Sequence, residues 1–134
     1  MTSSIAKDSI DLGIVVRDPE AALQFYRDTL GLPYQTKLDM PGGMTMHRLL
    51  VGGSVVKIVS FENAPEATSP PGGLNGATGM RYFTITVSNL EATTQAAADA
   101  GYNVVVKPTD IRPGIKISMI EDPEGNWVEL LQEG

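Results

Sequence analysis

Residues 10–32 read IDLGIVVRDPEAALQFYRDTLGL, and a second stretch of the chain repeats the pattern of this one. Residues 81–102, RYFTITVSNLEATTQAAADAGY, lie over it with Val16 on Val87, a shift of 71 positions. Both stretches read as a strand with alternating side chains, followed by a helix that ends at a glycine. Agreement in pattern rather than identity indicates one structural unit used twice.

Further strands follow each helix. In the first unit, two strands surround the turn Gly52-Gly53; in the second, two strands surround a turn at residues 122–125, and a short strand precedes them. Their predicted bounds are 44–51, 54–61, 102–106, 115–120 and 126–132. The order predicts an α+β fold of two tandem βαβββ modules that form a curved mixed sheet, with a concave cup and helices on the outer face.

The modules are expected at about residues 9–62 and 80–132 of one domain that spans residues 1–134. Residues 63–79 between them are rich in Pro, Gly and small residues. This composition is typical of a linker or a mobile lip rather than a packed element.

Composition excludes several classes of function. The net charge of −6 and the pI near 4.6 argue against nucleic acid and anionic membrane partners, which reward clustered Lys and Arg. The chain has no cysteine, so disulfides, thiolate metal sites and cysteine nucleophiles are excluded. No stretch reads as a signal peptide or a transmembrane segment, which predicts a cytoplasmic protein.

Two motifs carry a family resemblance. The pattern D-P-E-A-A-x-x-F-Y-x-D-x-L-G-L at residues 18–32 and D-P-E-G-N-W-V-E-L at residues 122–130 resemble those of the vicinal oxygen chelate superfamily. That superfamily includes glyoxalase I, methylmalonyl-CoA epimerase, extradiol dioxygenases and bleomycin-resistance proteins. The resemblance implies the paired βαβββ fold, a small-molecule ligand in the cup and a homodimer, but it leaves the reaction open because the group hosts many chemistries.

The resemblance also implies where a divalent metal would be bound. Family metal enzymes use His, Glu or Gln from the first and last strands of each unit, and the matching residues here are Asp11, Lys57, Tyr82 and Glu129. Only Glu129 keeps the expected type, and a protonated lysine has no lone pair to donate. We therefore predict no metal and no cofactor.

Strand alternation predicts which other side chains line the cup. Counting outward from Gly52-Gly53 pairs Arg48 with Lys57, and the same count around the second turn sets Ser118 beside Glu129. His47 then faces the opposite way, as a structural residue. The predicted apolar walls of the cup are Val15, Val55, Val59, Trp127 and Leu131. Arg112 is predicted to bind an anion at the mouth of the cup.

Three interpretations remain open. In the first, the chain is a metal-independent isomerase, epimerase or lyase: Glu129, or second Asp11, removes a proton next to a carbonyl, and Lys57 or Tyr82 stabilises the oxyanion. In the second, a hydrophobic molecule is sequestered without chemistry, as by bleomycin-resistance proteins. In the third, Lys57 is only a counter-ion that joins the two halves.

Overall fold

A computed structural model describes residues 2–134, and within them two units follow the same order of elements. The strands are β1 (Asp11–Val15), β2 (Tyr34–Met40), β3 (Met44–Val51), β4 (Ser54–Phe61), β5 (Tyr82–Thr86), β6 (Val104–Arg112), β7 (Ile115–Glu121) and β8 (Trp127–Glu133). The helices are α1 (Pro19–Leu23), which continues as a π-helical segment over Gln24–Thr29, and α2 (Leu90–Asp99). The predicted α+β fold of two βαβββ modules is confirmed.

The strands form two mixed four-stranded sheets, in the orders β1-β4-β3-β2 and β5-β8-β7-β6. In each sheet the first strand runs parallel to the last strand of its unit, and the remaining pairs are antiparallel. Strand β2 occupies a stretch for which the sequence pattern made no prediction, and β6 runs well beyond its predicted end at residue 106. No helix within residues 2–134 has the length and hydropathy of a membrane-spanning segment.

Both helices pack on the same side of the sheets. Asp18 caps α1 by accepting a 3.1 Å hydrogen bond from the Ala21 amide, and Pro19 occupies the first turn, where its missing N–H costs nothing. One hydrophobic core lies between helices and sheets and draws on both units, with Phe25 from the first and Leu90 from the second fully buried. The sheet face opposite the helices, called the open face below, is therefore free of this core.

A buried hydrogen bond joins the two halves. The Tyr26 hydroxyl donates to the Asp122 carboxylate at 2.6 Å, and both side chains are almost inaccessible to water. Asp122 also accepts from the amides of Glu124 and Asn126, so it organises the β7–β8 turn at the same time. Burial, followed by the neighbouring charge of Asp122, raises the pKa of Tyr26 and keeps the phenol as the donor.

Candidate functional site

Lys57 forms an ion pair with Asp11 on the open face. Strand β1 runs parallel to β4 with Asp11 opposite Val55 and Gly13 opposite Lys57. The Lys57 ammonium reaches past Gly13, which has no side chain, and lies 3.3 Å from Asp11 Oδ2. Both side chains are about one quarter exposed, at 27% and 28%, so water screens this pair only in part.

A second ammonium group also contacts Asp11. Lys7, in the segment before β1, lies 3.0 Å from Oδ1, so each carboxylate oxygen faces a cation. The hydrogen bond from Lys7, and next that from Lys57, hold the pKa of Asp11 below its ordinary value. A carboxylate held in this way is a weak base.

Arg48 lies directly opposite Lys57, which confirms the register predicted from the Gly52-Gly53 turn. Its Nε donates a 2.7 Å hydrogen bond to the side chain of Gln35. Gln35 reaches it because the β2–β3 pairing shifts by one residue between Tyr34 and Thr36, and such a bulge re-aims a side chain. Gln35 thus fixes one edge of the guanidinium group.

Glu129 lies on the open face of the second sheet. Its register partner on β5 is Thr84, whose hydroxyl donates a 2.7 Å hydrogen bond to Glu129 Oε1. Tyr82 is instead opposite Trp127 and is 46% exposed. Because Gly13 pairs with Lys57 as Thr84 pairs with Glu129, the ammonium and the carboxylate occupy matching positions of the two halves.

The prediction that Ser118 lies beside Glu129 is wrong. Ser118 is opposite Leu130, is fully buried, and hydrogen-bonds Thr94 of α2 at 2.8 Å on the helix side. The turn contains one more residue than the count assumed, because the Asp122 amide donates to the Asn126 carbonyl and Glu121 is opposite Trp127. Met119 therefore takes the position opposite Glu129.

The predicted apolar residues differ in how much of them a ligand could touch. Val55 and Val59 share a face with Lys57 but are only 5% and 6% exposed, so they support the surface rather than form it. Val15 is 50% exposed, and Leu131, on the face of Glu129, is half-buried. Val15 is thus the most accessible of the predicted wall residues on the first half.

A crevice of about 280 Å³ separates the edges of β1 and β5. Its lining includes Gly13 and Val15 from one half and Tyr82 and Trp127 from the other. The crevice therefore brings an apolar floor and two aromatic rings to the seam between the sheets.

The segment between the modules contributes Ser69 to this crevice and is mostly exposed, but it is packed at Gly73, where the expectation of an unpacked linker is wrong. Gly73–Asn75 form a 3-10 turn, and Gly73 is buried against the Trp127 ring so closely that any side chain would overlap it. Arg81 fixes the turn by donating to the carbonyls of Gly73 at 2.7 Å and Pro70 at 2.6 Å. These contacts join residues distant in sequence, which composition does not reveal.

Arg112 does not lie at the crevice. It ends β6 and lines a separate cavity of about 850 Å³ between the β6–β7 turn and the start of α2. The cavity also contains Glu91 and Lys116, which form a 2.6 Å ion pair with each other. The expectation that Arg112 guards the mouth of the site is therefore wrong.

His47 faces the helix side, as predicted, since its register partner is the core residue Ile58. Its Nδ1 lies 2.7 Å from the Tyr34 hydroxyl. Burial, followed by the charge of Lys37, lowers the pKa of His47, so the neutral ring is favoured at neutral pH. This position has no access to the open face.

The residues at the family's metal position do not fit a divalent cation. No three His, Asp or Glu side chains come together closely enough to hold a metal ion anywhere in residues 2–134. Lys57, at one of the four positions, brings a positive charge to within 3.3 Å of Asp11, and Lys7 engages the other oxygen of that carboxylate. A cation would have to displace two ammonium groups from Asp11 to be coordinated there.

Sequence reasoning missed five residues that shape the site: Lys7, Gln35, Thr84, Arg81 and Met119. Strand alternation could have found Thr84, because it is two positions beyond Tyr82 on the same strand. No local signal identifies Gln35 or Arg81, since the bulge and the ordered turn depend on distant contacts.

Comparison with known proteins agrees with this geometry. A sequence profile of the Glyoxalase/Bleomycin resistance protein/Dioxygenase superfamily matches residues 9–130. The chain is 29% identical over 123 residues to a protein of Synechocystis sp. named "Probable lactoylglutathione lyase", covering 89% of this chain and 90% of that one.

Two solved structures share the fold. One is a glyoxalase family protein from Bacillus cereus, with a TM-score of 0.84, 16% identity, and coverage of 98% of this chain and 96% of that one. The other is a glyoxylase/bleomycin resistance protein/dioxygenase domain from Frankia sp. EAN1pec, with a TM-score of 0.74, 15% identity, and coverage of 98% and 94%. The profile match covers most of the chain, and the chain therefore belongs to the glyoxalase/bleomycin resistance protein/dioxygenase superfamily.

Proposed function

We propose that the chain is a metal-independent isomerase or lyase-type enzyme that acts on a hydrophobic carbonyl compound held at the open face. The observation that carries this proposal is the correspondence of Lys57 and Glu129. Each half presents one of these groups, an ammonium or a carboxylate, at the matching position on the open face of its own sheet. Such a pair provides a base and an electrophile without a metal ion.

Glu129 acts as the base. It removes a proton from the carbon next to the substrate carbonyl; the C–H electron pair becomes the C=C bond of an enolate, and the C=O π pair moves to the oxygen. The Lys57 ammonium stabilises this oxygen, with the Tyr82 phenol as a second donor. Return of the proton to a different carbon, or to the opposite face of the same carbon, completes an isomerisation. Loss of a leaving group from the β carbon completes an elimination instead.

Asp11 is better suited to holding Lys57 than to taking a proton. Its lowered pKa, caused first by Lys7 and then by Lys57, makes it a weak base. Asp11 therefore orients the ammonium group from behind. The likeness to a protein named as a lactoylglutathione lyase supports the lyase class, at 29% identity.

Solvent exchange tests the proposal. The protein is incubated in deuterated buffer with apolar ketones, aldehydes, oxo acids and S-lactoylglutathione, and deuterium incorporation is followed by NMR. Glu129→Gln is expected to slow exchange by about 10²- to 10⁴-fold, the usual contribution of a general base. Glu133→Gln, an exposed carboxylate at the end of the same strand, is the matched control. Exchange that survives both Glu129→Gln and Asp11→Asn overturns the assignment.

A second candidate is sequestration of a hydrophobic ligand without catalysis. The crevice of about 280 Å³ between Val15, Tyr82 and Trp127 favours it, because aromatic rings and apolar walls suit a planar molecule. Saturable binding that changes Trp127 fluorescence, with neither exchange nor turnover, would select this function over the first.

The proposed assembly is a homodimer. Strands β2 and β6 are the outer strands of their sheets, and within residues 2–134 neither has a partner on its outer side. An edge with free backbone groups favours association with a second copy. Light scattering of the purified protein tests this, and a monomer at micromolar concentration contradicts it.

A further inference from the structure

An excess of positive charge lies on the open face of the first sheet, in a chain whose net charge is −6. Arg48 and Lys57 are direct cross-strand neighbours, an arrangement that normally destabilises a sheet because the charges repel. Lys7 adds a third cation near the same place, whereas Asp11 is the one carboxylate that ion-pairs with any of the three in residues 2–134. Asp11 therefore pairs with Lys7 and Lys57, and the charge of Arg48 is left without an acidic partner.

Arg48 retains hydrogen-bonding capacity that the protein does not use. Its Nε is engaged by the uncharged side chain of Gln35, and among residues 2–134 it has no acidic partner within ion-pair distance. Its register neighbours are Thr36 and Lys57, neither of which carries negative charge. The two terminal nitrogens remain available as a fork, the geometry that binds a carboxylate through two hydrogen bonds.

A row of apolar side chains runs beside this pair. Met46 is opposite Leu38 on one side and Val59 on the other, and Val59 is in turn opposite Val15 of β1. These four residues lie two positions along their strands from the charged row, on the same face. Leu38 and Val15 are 40% and 50% exposed, and methionine adapts its shape to a ligand.

We propose that this face binds an apolar oxo acid, with its carboxylate on Arg48, its carbonyl oxygen toward Lys57 and its hydrocarbon body along Leu38, Met46 and Val15, above the buried Val59. The inference rests on the proposed function and names the substrate class for it. A carboxylate supplies the missing negative charge. A small inorganic anion is not the preferred ligand, because it would leave the apolar row exposed to water.

Calorimetry with a matched pair of probes tests the anion subsite. The probes are 2-naphthoate and 2-naphthamide, which share an apolar body and differ in charge. The wild-type chain is expected to bind naphthoate at least about tenfold more tightly than the amide. Arg48→Gln should abolish this preference, since a charge-assisted hydrogen bond contributes about ten- to a hundredfold in affinity. Arg48→Lys should keep part of it.

Arg112→Gln is the matched control, because it removes the same charge from the separate cavity beside α2. Equal affinity of the wild-type chain for the two probes overturns the proposed subsite. A naphthoate preference that survives Arg48→Gln overturns it too, as does a preference that Arg112→Gln abolishes to the same extent as Arg48→Gln. Glu129→Gln separates this result from the proposed reaction. Loss of proton exchange with the naphthoate preference intact supports both ideas, and a preference without any exchange supports the subsite alone.

Discussion

Lys57 Nζ lies 3.3 Å from Asp11 Oδ2, across two parallel strands, at the position where metal enzymes of this superfamily are expected to carry ligands. The ion pair puts a positive charge that belongs to the chain itself at this position. Lys7 reinforces it from the segment before β1, at 3.0 Å from the other oxygen. Two ammonium groups of the chain thus contact this one carboxylate.

Asp11→Asn is expected to change the acid sensitivity of the fold. The lowered pKa of Asp11 means that its contribution to the free energy of unfolding is fully present above its ordinary pKa of 3.8 and is lost as the pH falls through the folded-state value. The stability difference between wild type and variant should thus shrink below pH 3.8. Urea melts at several pH values measure it, with the exposed Asp8→Asn as control. A difference that grows toward low pH contradicts the assigned ion pairs.

Tyr26→Phe should reduce the free energy of unfolding by about 1.5–3 kcal/mol, since the buried Asp122 carboxylate loses a charge-assisted donor. Tyr102→Phe is the control, because Tyr102 packs against the same Phe25 ring, at 4.9 Å between centroids. Thermal or urea unfolding gives both values. Equal losses in the two variants would mean that the 2.6 Å bond between the halves adds no stability beyond ring packing.

Ser118→Ala should lower stability by about 1 kcal/mol and leave ligand affinity unchanged. The Thr94 hydroxyl donates to the Leu90 carbonyl at 2.7 Å, so Ser118 is the donor to Thr94, and its removal leaves no donor unpaired. Met119→Ala, one residue away and opposite Glu129, should instead slow the deuterium exchange that depends on Glu129. The exchange assay and calorimetry compare the two variants, and a loss of exchange or affinity confined to Ser118→Ala would restore the register that the sequence suggested.

Gly73→Ala should detach the 3-10 turn from Trp127, because the added methyl group would overlap the indole ring. Gly79→Ala is the control: it also has a positive φ, of +106°, but its new side chain meets nothing within 4 Å. Both variants carry backbone strain, whereas only the first carries overpacking, which costs about 1–3 kcal/mol. Trp127 is the single tryptophan, so a red shift of its fluorescence in Gly73→Ala alone is the expected signal.

Strand alternation and short turns account for what the sequence could predict of the site. The two-residue turn at Gly52-Gly53 fixed Arg48 opposite Lys57, because a tight hairpin leaves one register. The longer turn after β7 is compatible with more than one register between β7 and β8. The hydrogen bond from the Asp122 amide to the Asn126 carbonyl fixes the register in which Ser118 faces the helix side. The strand register after such a turn therefore depends on tertiary contacts, and counting residues in the sequence does not determine it.

Non-local contacts account for what the sequence could not predict. The segment after β4 has the composition of a flexible linker, yet Arg81 and the Trp127 ring order it from positions further along the chain. Gln35 reaches Arg48 because of a bulge that leaves no mark in the pattern of apolar residues. The composition of a segment indicates only its local conformational preference. These contacts form between residues that are distant in sequence, so composition does not predict them.

Metal uptake tests the central claim, that the Lys57 ammonium takes the place of a divalent cation. The protein is incubated with Mg²⁺, Mn²⁺, Ni²⁺ or Zn²⁺, desalted, and assayed for bound metal by mass spectrometry, alongside Asp11→Asn and Glu129→Gln. We predict far less than one ion per chain for wild type, and no further loss in either variant. One ion per chain, lost in both variants, would contradict the account.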